Sequence, residues 1–308
     1  MLWVQFNRRG GPVKGETGNA MQIRAMRVDD ISFGMRLKAQ NGWNQLESDW
    51  RRQLELEPEG CFVAQASTGR EPGEMATLVG TACTCVFGDI AWINLVLVDQ
   101  QERGQGIGTA LLQHVLHYLD IRGIPTIRLD ATPMGQPVYE KLGFRGDFTL
   151  SRYEGILPHL AEHERALQAE PLTPADLPAV LALDEAVTRT AREKLLRHLC
   201  TAHLDSMRKF APGGRMEGFC FARPGAHAWQ IGPVQGTAIA GRALLLDAAQ
   251  RFAGQRVFLD VPSAHADAVR CVQSLGLKVQ RSFLRMTRGA RVQEDLQSCW
   301  SSFGPEKG

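Results

Sequence analysis

The stretch VLVDQQERGQGIGTALLQHVLHYL at 96–119 constrains the fold more than any other part of the chain. An apolar run ends in three alternate glycines, Gly104, Gly106 and Gly108, and an amphipathic pattern follows. This order predicts a strand, a tight loop and the start of a helix. Glycines let successive backbone N–H groups converge, and the first N–H groups of a helix are unpaired at the positive end of its dipole. The stretch therefore predicts a site for a phosphate-containing ligand.

Two common phosphate-binding motifs do not fit this loop. A Walker loop needs Lys followed by Ser or Thr after its last glycine, whereas Thr109 and Ala110 follow Gly108. A dinucleotide fingerprint that starts at Gly104 needs a glycine where this chain has Thr109. A triphosphate clamp and a dinucleotide fold are therefore both excluded.

The loop resembles the Q/R-x-x-G-x-G/A signature of the GNAT superfamily of acyl-CoA-dependent N-acetyltransferases, with Arg103, Gly106 and Gly108 at the signature positions. Three further segments resemble the same family in the same order along the chain. They are MQIRAMRVDD at 21–30, GTACTCVFGDIAWINLVLVD at 80–99 and IRLDATPMGQPVYEKLGF at 127–144. The resemblance implies acetyl-CoA as the cofactor and a GNAT fold around it.

The two halves of the chain repeat one plan. IRLDAT at 127–132 is echoed by VFLDVP at 257–262, and EKLGF at 140–144 by QSLGL at 273–277. Two further echoes pair 109–119 with 242–252 and 26–40 with 172–186, which makes four in the same order. The pattern predicts an α/β (α+β) protein of two tandem GNAT-like domains, each a mixed, mostly antiparallel sheet flanked by helices. It resembles the bacterial double-GNAT, YitI-like acetyltransferases.

Composition shifts set the expected domain boundaries. We expect a disordered N-terminal extension at 1–20, a catalytic GNAT domain at 21–156, a linker at 157–170, a degenerate GNAT-like domain at 171–290 and a frayed tail at 291–308. We call 21–156 the first repeat, 171–290 the second repeat and 291–308 the C-terminal tail. Met21 directly precedes the first predicted strand, so we expect translation to start there.

Periodicity predicts the elements of the first repeat. Strands are expected near 22–27, 60–67, 77–87, 91–98, 126–131 and 148–153, and helices at 29–40, 44–56, 107–121 and 136–142.

Composition narrows the class of partner. The 308 residues are 44% hydrophobic and 22% charged, with 35 Lys and Arg against 33 Asp and Glu. A net charge of +2 argues against nucleic-acid binding, and the apolar runs are too short to cross a membrane. Seven scattered cysteines without paired CxxC spacing indicate reduced thiols, so a cytoplasmic location is expected. Cys83 and Cys85 alternate along a predicted strand and are expected to pack in the core.

The resemblance assigns the coenzyme contacts to the first repeat. It implies that the pantetheine arm pairs with the main chain of Val96, Leu97 and Val98, and that the pyrophosphate binds the loop. The loop residues assigned to it are Arg103, Gly104, Gln105, Gly106, Ile107, Gly108 and Thr109. In the second repeat Gly232, Gly236 and Gly241 are too far apart to form such a loop. One coenzyme site per chain is therefore expected.

The sequence offers three candidates for catalytic residues, Tyr139, Asn94 and Asp130. Tyr139 occupies the family's position for a tyrosine near the coenzyme sulfur, and a phenol stays protonated at pH 7, so it is the candidate acid. The alternative is that Tyr139 is a core residue without a catalytic role. Many relatives place Glu on the fourth strand, where this chain has Asn94, which is a poor base. Asp130 ends the fifth predicted strand, but its counterpart Asp260 persists in the second repeat, which favours a structural role over that of a base.

Acceptor residues are expected between the first two helices. Trp43, Asn44 and Gln45 lie there and are candidates for binding a polar substrate, although helix capping explains Asn44 equally well.

The spaced histidines, His114 with His117 and His159 with His163, lack the partners of a metal site, so no metal is expected. His117 is expected to face solvent, with His114 at the edge of the apolar face of its helix.

The sequence thus predicts an acetyl-CoA-dependent N-acetyltransferase that acts on the primary amine of a small molecule. A non-catalytic acyl-CoA sensor is the main rival, and use of a longer acyl-CoA stays open. The oligomeric state is left open.

Overall fold

The computed structural model describes residues 13–14, 20–66, 77–160 and 169–308. The described residues pack as two compact units, one within 1–85 and 93–124 and the other within 86–92 and 125–308. Most of the expected N-terminal extension and linker, at 1–12, 15–19 and 161–168, lies outside the described residues.

The first unit is an antiparallel sheet with three helices. Its elements are β1 (Val13–Lys14), β2 (Ala20–Ala25), α1 (Ile31–Gln40), α2 (Glu47–Leu56), β3 (Cys61–Ala66), β4 (Thr77–Phe87), β5 (Ile90–Val98) and α3 (Ile107–Ile121). β1 pairs with β2, β2 with β3 and β3 with β4, all antiparallel. Residues 86–92, which are the turn between β4 and β5 and the adjoining ends of the two strands, belong to the second unit.

Burial in the first unit follows the predicted pattern. α3 has the predicted bounds, and the apolar face of this helix is buried: Leu111, Leu112, Val115, Leu116 and Leu119. Each such side chain contributes about 1.5–3 kcal/mol when fully buried, so the face anchors the helix firmly. Cys83 and Cys85 are both buried, as expected, and no disulfide links the cysteines of the described residues.

The second unit is a larger sheet with helices. Its further elements are β6 (Thr126–Ala131), α4 (Gln136–Lys141), β7 (Arg145–Ile156), β8 (Glu170–Pro171), α5 (Leu177–Thr188), α6 (Glu193–His203), β9 (Arg208–Phe210), β10 (Gly218–Arg223), β11 (Trp229–Gly236), α7 (Ala238–Arg251), β12 (Arg256–Pro262), α8 (Ala266–Ser274), β13 (Lys278–Gly289) and β14 (Cys299–Ser301). The strands follow the order β6-β13-β7-β12-β11-β10-β9-β8, and β14 pairs with β11.

The two repeats exchange their last strands within this sheet. β13 of the second repeat lies between β6 and β7 of the first, and it is antiparallel to both. β7 of the first repeat in turn pairs with β12 of the second, with Tyr153 opposite Leu259. The division between packing units therefore falls inside the first repeat rather than at the linker expected at 157–170.

The expectation of a frayed tail at 291–308 is wrong. Cys299–Ser301 forms β14, and the side chains of Trp300 and Phe303 are fully buried. Glu294 accepts hydrogen bonds from Arg285 at 3.0 Å and forms a buried ion pair with Arg128 at 2.6 Å. Apolar side chains and buried ion pairs hold the tail in place. The sequence of the tail has no regular hydrophobic periodicity that would have predicted this burial.

Membrane crossing needs a long apolar helix, and none of the described helices meets that requirement.

Candidate functional site

The glycine loop between β5 and α3 takes the left-handed conformation that its sequence suggests. Gly104 has φ 80° and Gly106 has φ 79°, a region in which residues with a Cβ are strained. Gly108 lies inside α3, and a Cβ there would meet Val98 at an ordinary 3.5 Å. Two of the three glycines are therefore required by backbone conformation, whereas neither conformation nor space requires the third.

Asp99 fixes the beginning of the loop. Its carboxylate accepts hydrogen bonds from the Gln101 N–H at 3.2 Å and from the guanidinium of Arg36 on α1 at 2.7 Å. Its own N–H donates to the Val79 carbonyl on β4 at 2.9 Å. The loop therefore starts from a fixed point on the sheet.

The side chain of Arg103 ties the loop to the end of α1. Its guanidinium donates to the Asn41 side-chain carbonyl at 2.8 Å and to the Val98 carbonyl at 3.4 Å. Gln100 adds a bond to the Gln40 carbonyl at 2.8 Å. The Arg103 side chain is therefore held by its own chain, and its main-chain N–H has no acceptor within the described residues.

The N–H groups of 103–109 are open to a ligand. Within the part of the chain that the structure describes, no acceptor is recorded for them, and the Ala110 N–H is the first to bond back, to Gly106. The N-terminus of α3 adds its positive dipole end. Unpaired N–H groups at a helix start are the main-chain requirement for binding a phosphate group.

β5 departs from extended backbone beside this loop. Leu95 has φ 50°, which is rare for a residue with a branched side chain, and its carbonyl accepts a hydrogen bond from the Thr81 hydroxyl at 2.8 Å. Asn94 and Leu97 are buried, whereas Val96 and Val98 are half-buried. The sequence carries no signal for this irregularity, because Leu is not a residue that the left-handed region favours.

Asp130 lies on β6 in the second unit and is held by an arginine. The guanidinium of Arg285 on β13 donates to its two carboxylate oxygens at 2.8 and 2.9 Å. Burial opposes the charge on Arg285, but Asp130 and Glu294 outweigh it, so its pKa lies above its ordinary value. Burial raises the pKa of Asp130 above its ordinary value, although Arg285 opposes that shift. The bidentate ion pair with Arg285 favours the structural role.

Tyr139 lies on α4, also in the second unit, and its ring meets Phe144 edge-on at 5.9 Å. Burial raises the pKa of Tyr139 to about 12. Among the described residues, none is recorded as a hydrogen-bond partner of its hydroxyl. The phenol therefore keeps its proton at neutral pH and has it available for donation.

The expected acceptor segment is more buried than its composition suggests. Asn44 and Gln45 are buried, and Trp43 packs against the core of the first unit. The capping alternative for Asn44 is wrong, because α2 begins at Glu47 rather than at 44 and its preceding residue is Leu46. Sequence reasoning also missed Lys38, a buried lysine that donates to the Trp43 carbonyl at 3.3 Å.

Histidines lie as the pattern predicted. His117 is exposed, and His114 is half-buried with its ring edge-on to Phe62 at 4.6 Å. His159 is exposed, and His163 lies outside the described residues. Across the described ranges no three His, Cys, Asp or Glu side chains gather as metal ligands would.

The second repeat has no counterpart of the glycine loop. β11 ends at Gly236 and α7 begins at Ala238, with Thr237 between them. The Thr237 hydroxyl caps the helix by accepting from the Ala240 N–H at 3.2 Å. A helix start that is capped by its own chain offers less to an anion than the uncapped start of α3.

Two family models match the chain. The acetyltransferase (GNAT) family matches residues 32–144, and the acetyltransferase (GNAT) domain matches residues 180–301. Together they cover more than half of the chain. The first match lies in the first repeat, and the second covers most of the second repeat and continues into the C-terminal tail as far as residue 301. The tandem architecture predicted from the sequence is therefore confirmed.

Individual proteins agree with the family models. The chain is 24% identical over 248 residues to the uncharacterized N-acetyltransferase YitH of Bacillus subtilis, across 79% of this chain and 83% of YitH. It is 32% identical over 130 residues to a mycothiol acetyltransferase of Rhodococcus erythropolis, across 39% of this chain and 41% of that protein. A crystal structure of a Pyrococcus horikoshii protein classed as an acetyltransferase superposes with TM-score 0.77 at 22% identity, across 99% of this chain and 100% of that one. That last likeness shows a shared fold.

Proposed function

The chain belongs to the GNAT family of acetyltransferases, and from that membership we propose that it transfers the acetyl group of acetyl-CoA to a primary amine of a small molecule. The observation that carries the proposal is the loop at 103–109, whose N–H groups have no recorded acceptor among the described residues and lie at the start of α3. A pyrophosphate suits these donors because it presents several anionic oxygens to neighbouring N–H groups.

The pantetheine arm is proposed to run beside β5. The main chain of Val96, Leu97 and Val98 supplies hydrogen-bond partners to it, and their apolar side chains keep the strand in place. The left-handed backbone of Leu95 turns the strand just before these residues. A main-chain N–H on this strand would also polarise the thioester carbonyl, and such fixed donors stabilise a developing oxyanion.

The proposed reaction is direct attack. The amine nitrogen bonds to the thioester carbonyl carbon, the C–S bond breaks, and the departing sulfur takes a proton. Tyr139 is the proposed donor of that proton, because its donor form is fully populated at neutral pH, with its pKa raised to about 12. The raised pKa makes it a weaker acid than an ordinary phenol, and the phenolate that it leaves takes a proton back from water. The attacking nitrogen loses its proton to water.

No side chain among Asn94, Asp130 and Tyr139 is suited to accept the amine's proton. An amide such as Asn94 is not a useful base, and both oxygens of Asp130 are bonded to Arg285. The protein is therefore proposed to take up the acceptor as a neutral amine and to bring it to the thioester without a dedicated base. Positioning of this kind is a large source of rate by itself.

One coenzyme site per chain is proposed, in the first repeat. Two features of the second repeat support this: Thr237 caps the start of α7, and the C-terminal tail pairs with β11. A small-molecule acceptor is supported by the polar side chains of Asn44 and Gln45 and by the name of the mycothiol acetyltransferase relative. A cytoplasmic location is part of the proposal, because the cysteines are scattered and lack paired CxxC spacing.

Coenzyme titration followed by turnover tests the proposal. Acetyl-CoA is titrated into the full chain by calorimetry, and thiol release is then measured across a panel of primary amines. We expect saturable binding and, with some amines, thiol release well above the rate without amine. No binding at millimolar coenzyme would refute the site, whereas binding without turnover on any amine would favour the rival role of an acyl-CoA sensor.

A further inference from the structure

The C-terminal tail fills a cleft of the second repeat. β11 and β12 pair in parallel at Trp229–Val257 and Gln230–Phe258. Further along β11, β14 is the partner, with Ser301 opposite Val234. The next residue of the tail, Ser302, donates its N–H to the Asp260 carbonyl on β12 at 2.8 Å. The tail thus bridges the two strands beyond the point where their direct pairing is recorded.

The equivalent strands of the first repeat are β5 and β6, which pair in parallel from Ile90–Thr126 to Trp92–Arg128. Beside β5, beyond those pairs, we have proposed the pantetheine arm. The tail therefore takes, in the second repeat, the place proposed for the coenzyme in the first. The comparison between the tail and the coenzyme rests on the proposed function. The contacts of the tail are observed in the structure and do not depend on that proposal.

Two glycines of the second repeat make room for the tail. A Cβ on Gly241 of α7 would lie 2.2 Å from the indole of Trp300, and one on Gly232 of β11 would lie 2.1 Å from the Ser302 carbonyl oxygen. Neither distance is tolerated by a real side chain. These glycines, which form no phosphate loop, are thus required by the close approach of the tail.

Arg223 holds the middle of the tail. It donates to the Phe303 carbonyl at 2.9 Å, and its guanidinium carbon lies 3.8 Å from the centroid of the Phe303 ring. It also forms an ion pair with Glu306 at 3.4 Å. One buried cation therefore contacts a main-chain carbonyl, an aromatic face and a carboxylate of the same segment.

Arg192 holds the following residues. It donates to the Lys307 carbonyl at 2.8 Å and to the Gly308 carbonyl, while Asp184 fixes the same guanidinium at 2.6 and 3.0 Å. Gln235 on β11 orients Asp184 with a bond of 3.0 Å. A side chain that is oriented by two others before it meets the main chain of the tail is a preorganised binding group.

We propose that the second repeat is a peptide-binding site and that residues 299–308 are its resident ligand. The ligand class is an extended peptide that adds a strand to β11, inserts an indole against Gly241, and follows it with an aromatic and an acidic residue for Arg223. Strand addition supplies main-chain hydrogen bonds, and the pockets for alternate side chains supply selectivity. The second repeat has thus replaced coenzyme binding with peptide binding.

Cleavage of the folded chain tests this. Gln297 is exposed in the turn before β14, so a protease recognition sequence inserted there can be cut after the whole protein has folded. We expect the cut segment to co-elute with the protein and to exchange with a labelled peptide of sequence 298–308. Peptides carrying Trp300→Ala or Glu306→Gln should bind at least about tenfold more weakly than the native peptide.

Two results would overturn the proposal. The first is a cut segment that leaves and does not rebind at about 100 µM peptide while the circular dichroism of the remaining protein is unchanged. The second is equal binding of the native and Trp300→Ala peptides. Acetyl-CoA is titrated into the same samples, so loss of coenzyme binding with normal peptide exchange counts against the proposed function alone.

A substitution in the intact chain gives an independent measurement. Gly241→Ala places a methyl group on the indole, although alanine otherwise favours a helix interior over glycine. We expect faster proteolysis of residues 298–308 in Gly241→Ala than in the unsubstituted chain. Adding Gly241→Ala to Trp300→Ala should produce no further increase, because the contact is already removed. Unchanged proteolysis in the single variant would contradict the seating of Trp300 on α7.

Discussion

Two buried aspartates occupy equivalent positions of the repeats, and each is paired with an arginine of the opposite repeat. Asp130 on β6 is bonded to Arg285 on β13, and Asp260 on β12 is bonded to Arg152 on β7. In each pair the aspartate and the arginine lie directly opposite one another on neighbouring strands. Asp130, the acidic residue considered as a base, is thus part of an ion pair that recurs in both repeats. The proposed catalytic chemistry is therefore better tested at Tyr139.

Replacing Tyr139 with Phe should lower kcat and leave coenzyme affinity and stability nearly unchanged. The ring keeps its contact with Phe144, and the hydroxyl has no recorded partner among the described residues whose bond would be lost. Loss of a positioned acid costs about 10²–10⁴-fold in rate. Steady-state kinetics, calorimetry and thermal unfolding of the two proteins would measure all three quantities.

The pH dependence checks the same role. Because burial raises the pKa of Tyr139 to about 12, its donor form is retained below that pH, and kcat should not fall between pH 7 and about pH 10. An alkaline decline present in the native enzyme and absent from Tyr139→Phe would contradict that pKa, and an unchanged kcat in Tyr139→Phe would reject the acid role.

The glycine loop offers a second residue-scale prediction with a matched control. Gly106 and Gly123 lie at opposite ends of α3 with φ 79° and 67°, and a Cβ at either would meet nothing within 4 Å. Alanine at either position should cost about 1 kcal/mol of unfolding free energy through backbone strain. Coenzyme affinity should fall at least about tenfold for Gly106→Ala alone, as measured by calorimetry. Equal affinities in the two variants would argue against the loop as the pyrophosphate site.

At the scale of elements, the exchange of β7 and β13 makes each repeat depend on the other. The side chains of Arg152 and Asp260 are 7% and 1% exposed, so they are almost fully removed from water. Removing one partner of such a pair leaves a buried charge, which costs about 3–5 kcal/mol. The exchange is thus maintained by ion pairs that are stable only while both strands are in place.

Arg152→Met should therefore lower the unfolding free energy in urea by about 3–5 kcal/mol. The double variant Arg152→Met, Asp260→Leu should recover most of that loss, since no buried charge is left unpaired. Arg197→Met is the control, because Arg197 and Glu193 form an exposed pair with side chains 60% and 57% accessible, and it should cost less than about 1 kcal/mol. A double variant as unstable as Arg152→Met would contradict this explanation.

Local patterns account for what the sequence could predict about these elements. The helix at 107–121 was predicted with its observed bounds because its apolar face repeats within the segment itself. The exchange could not be predicted, because the partners of Arg152 and Asp130 lie far along the chain and an alternating strand pattern does not specify its neighbour. The left-handed backbone of Leu95 could not be predicted from its residue type. The burial of the tail could not be predicted either, because small polar residues surround Trp300 and Phe303 in the sequence.

At the scale of the whole molecule, the two repeats have one plan, and we propose that they bind different ligands. The first keeps an uncapped helix start after a glycine loop, while the second has Thr237 as a cap and the tail between β11 and β12. Duplication of a fold supplies two equivalent clefts, and substitution of a few residues is enough to change what each one takes. The number of coenzyme molecules that bind per chain measures that divergence directly.

Calorimetric titration of the full chain with acetyl-CoA should therefore give a stoichiometry of one per chain. A substitution in the glycine loop distinguishes a single coenzyme site from two sites of unequal affinity. If the loop is the one site, Gly106→Val, which adds a branched side chain where φ is 79°, should abolish measurable binding rather than halve it. A residual site in Gly106→Val, or two equivalent sites in the unsubstituted chain, would show that the cleft of the second repeat still accepts the coenzyme despite the tail.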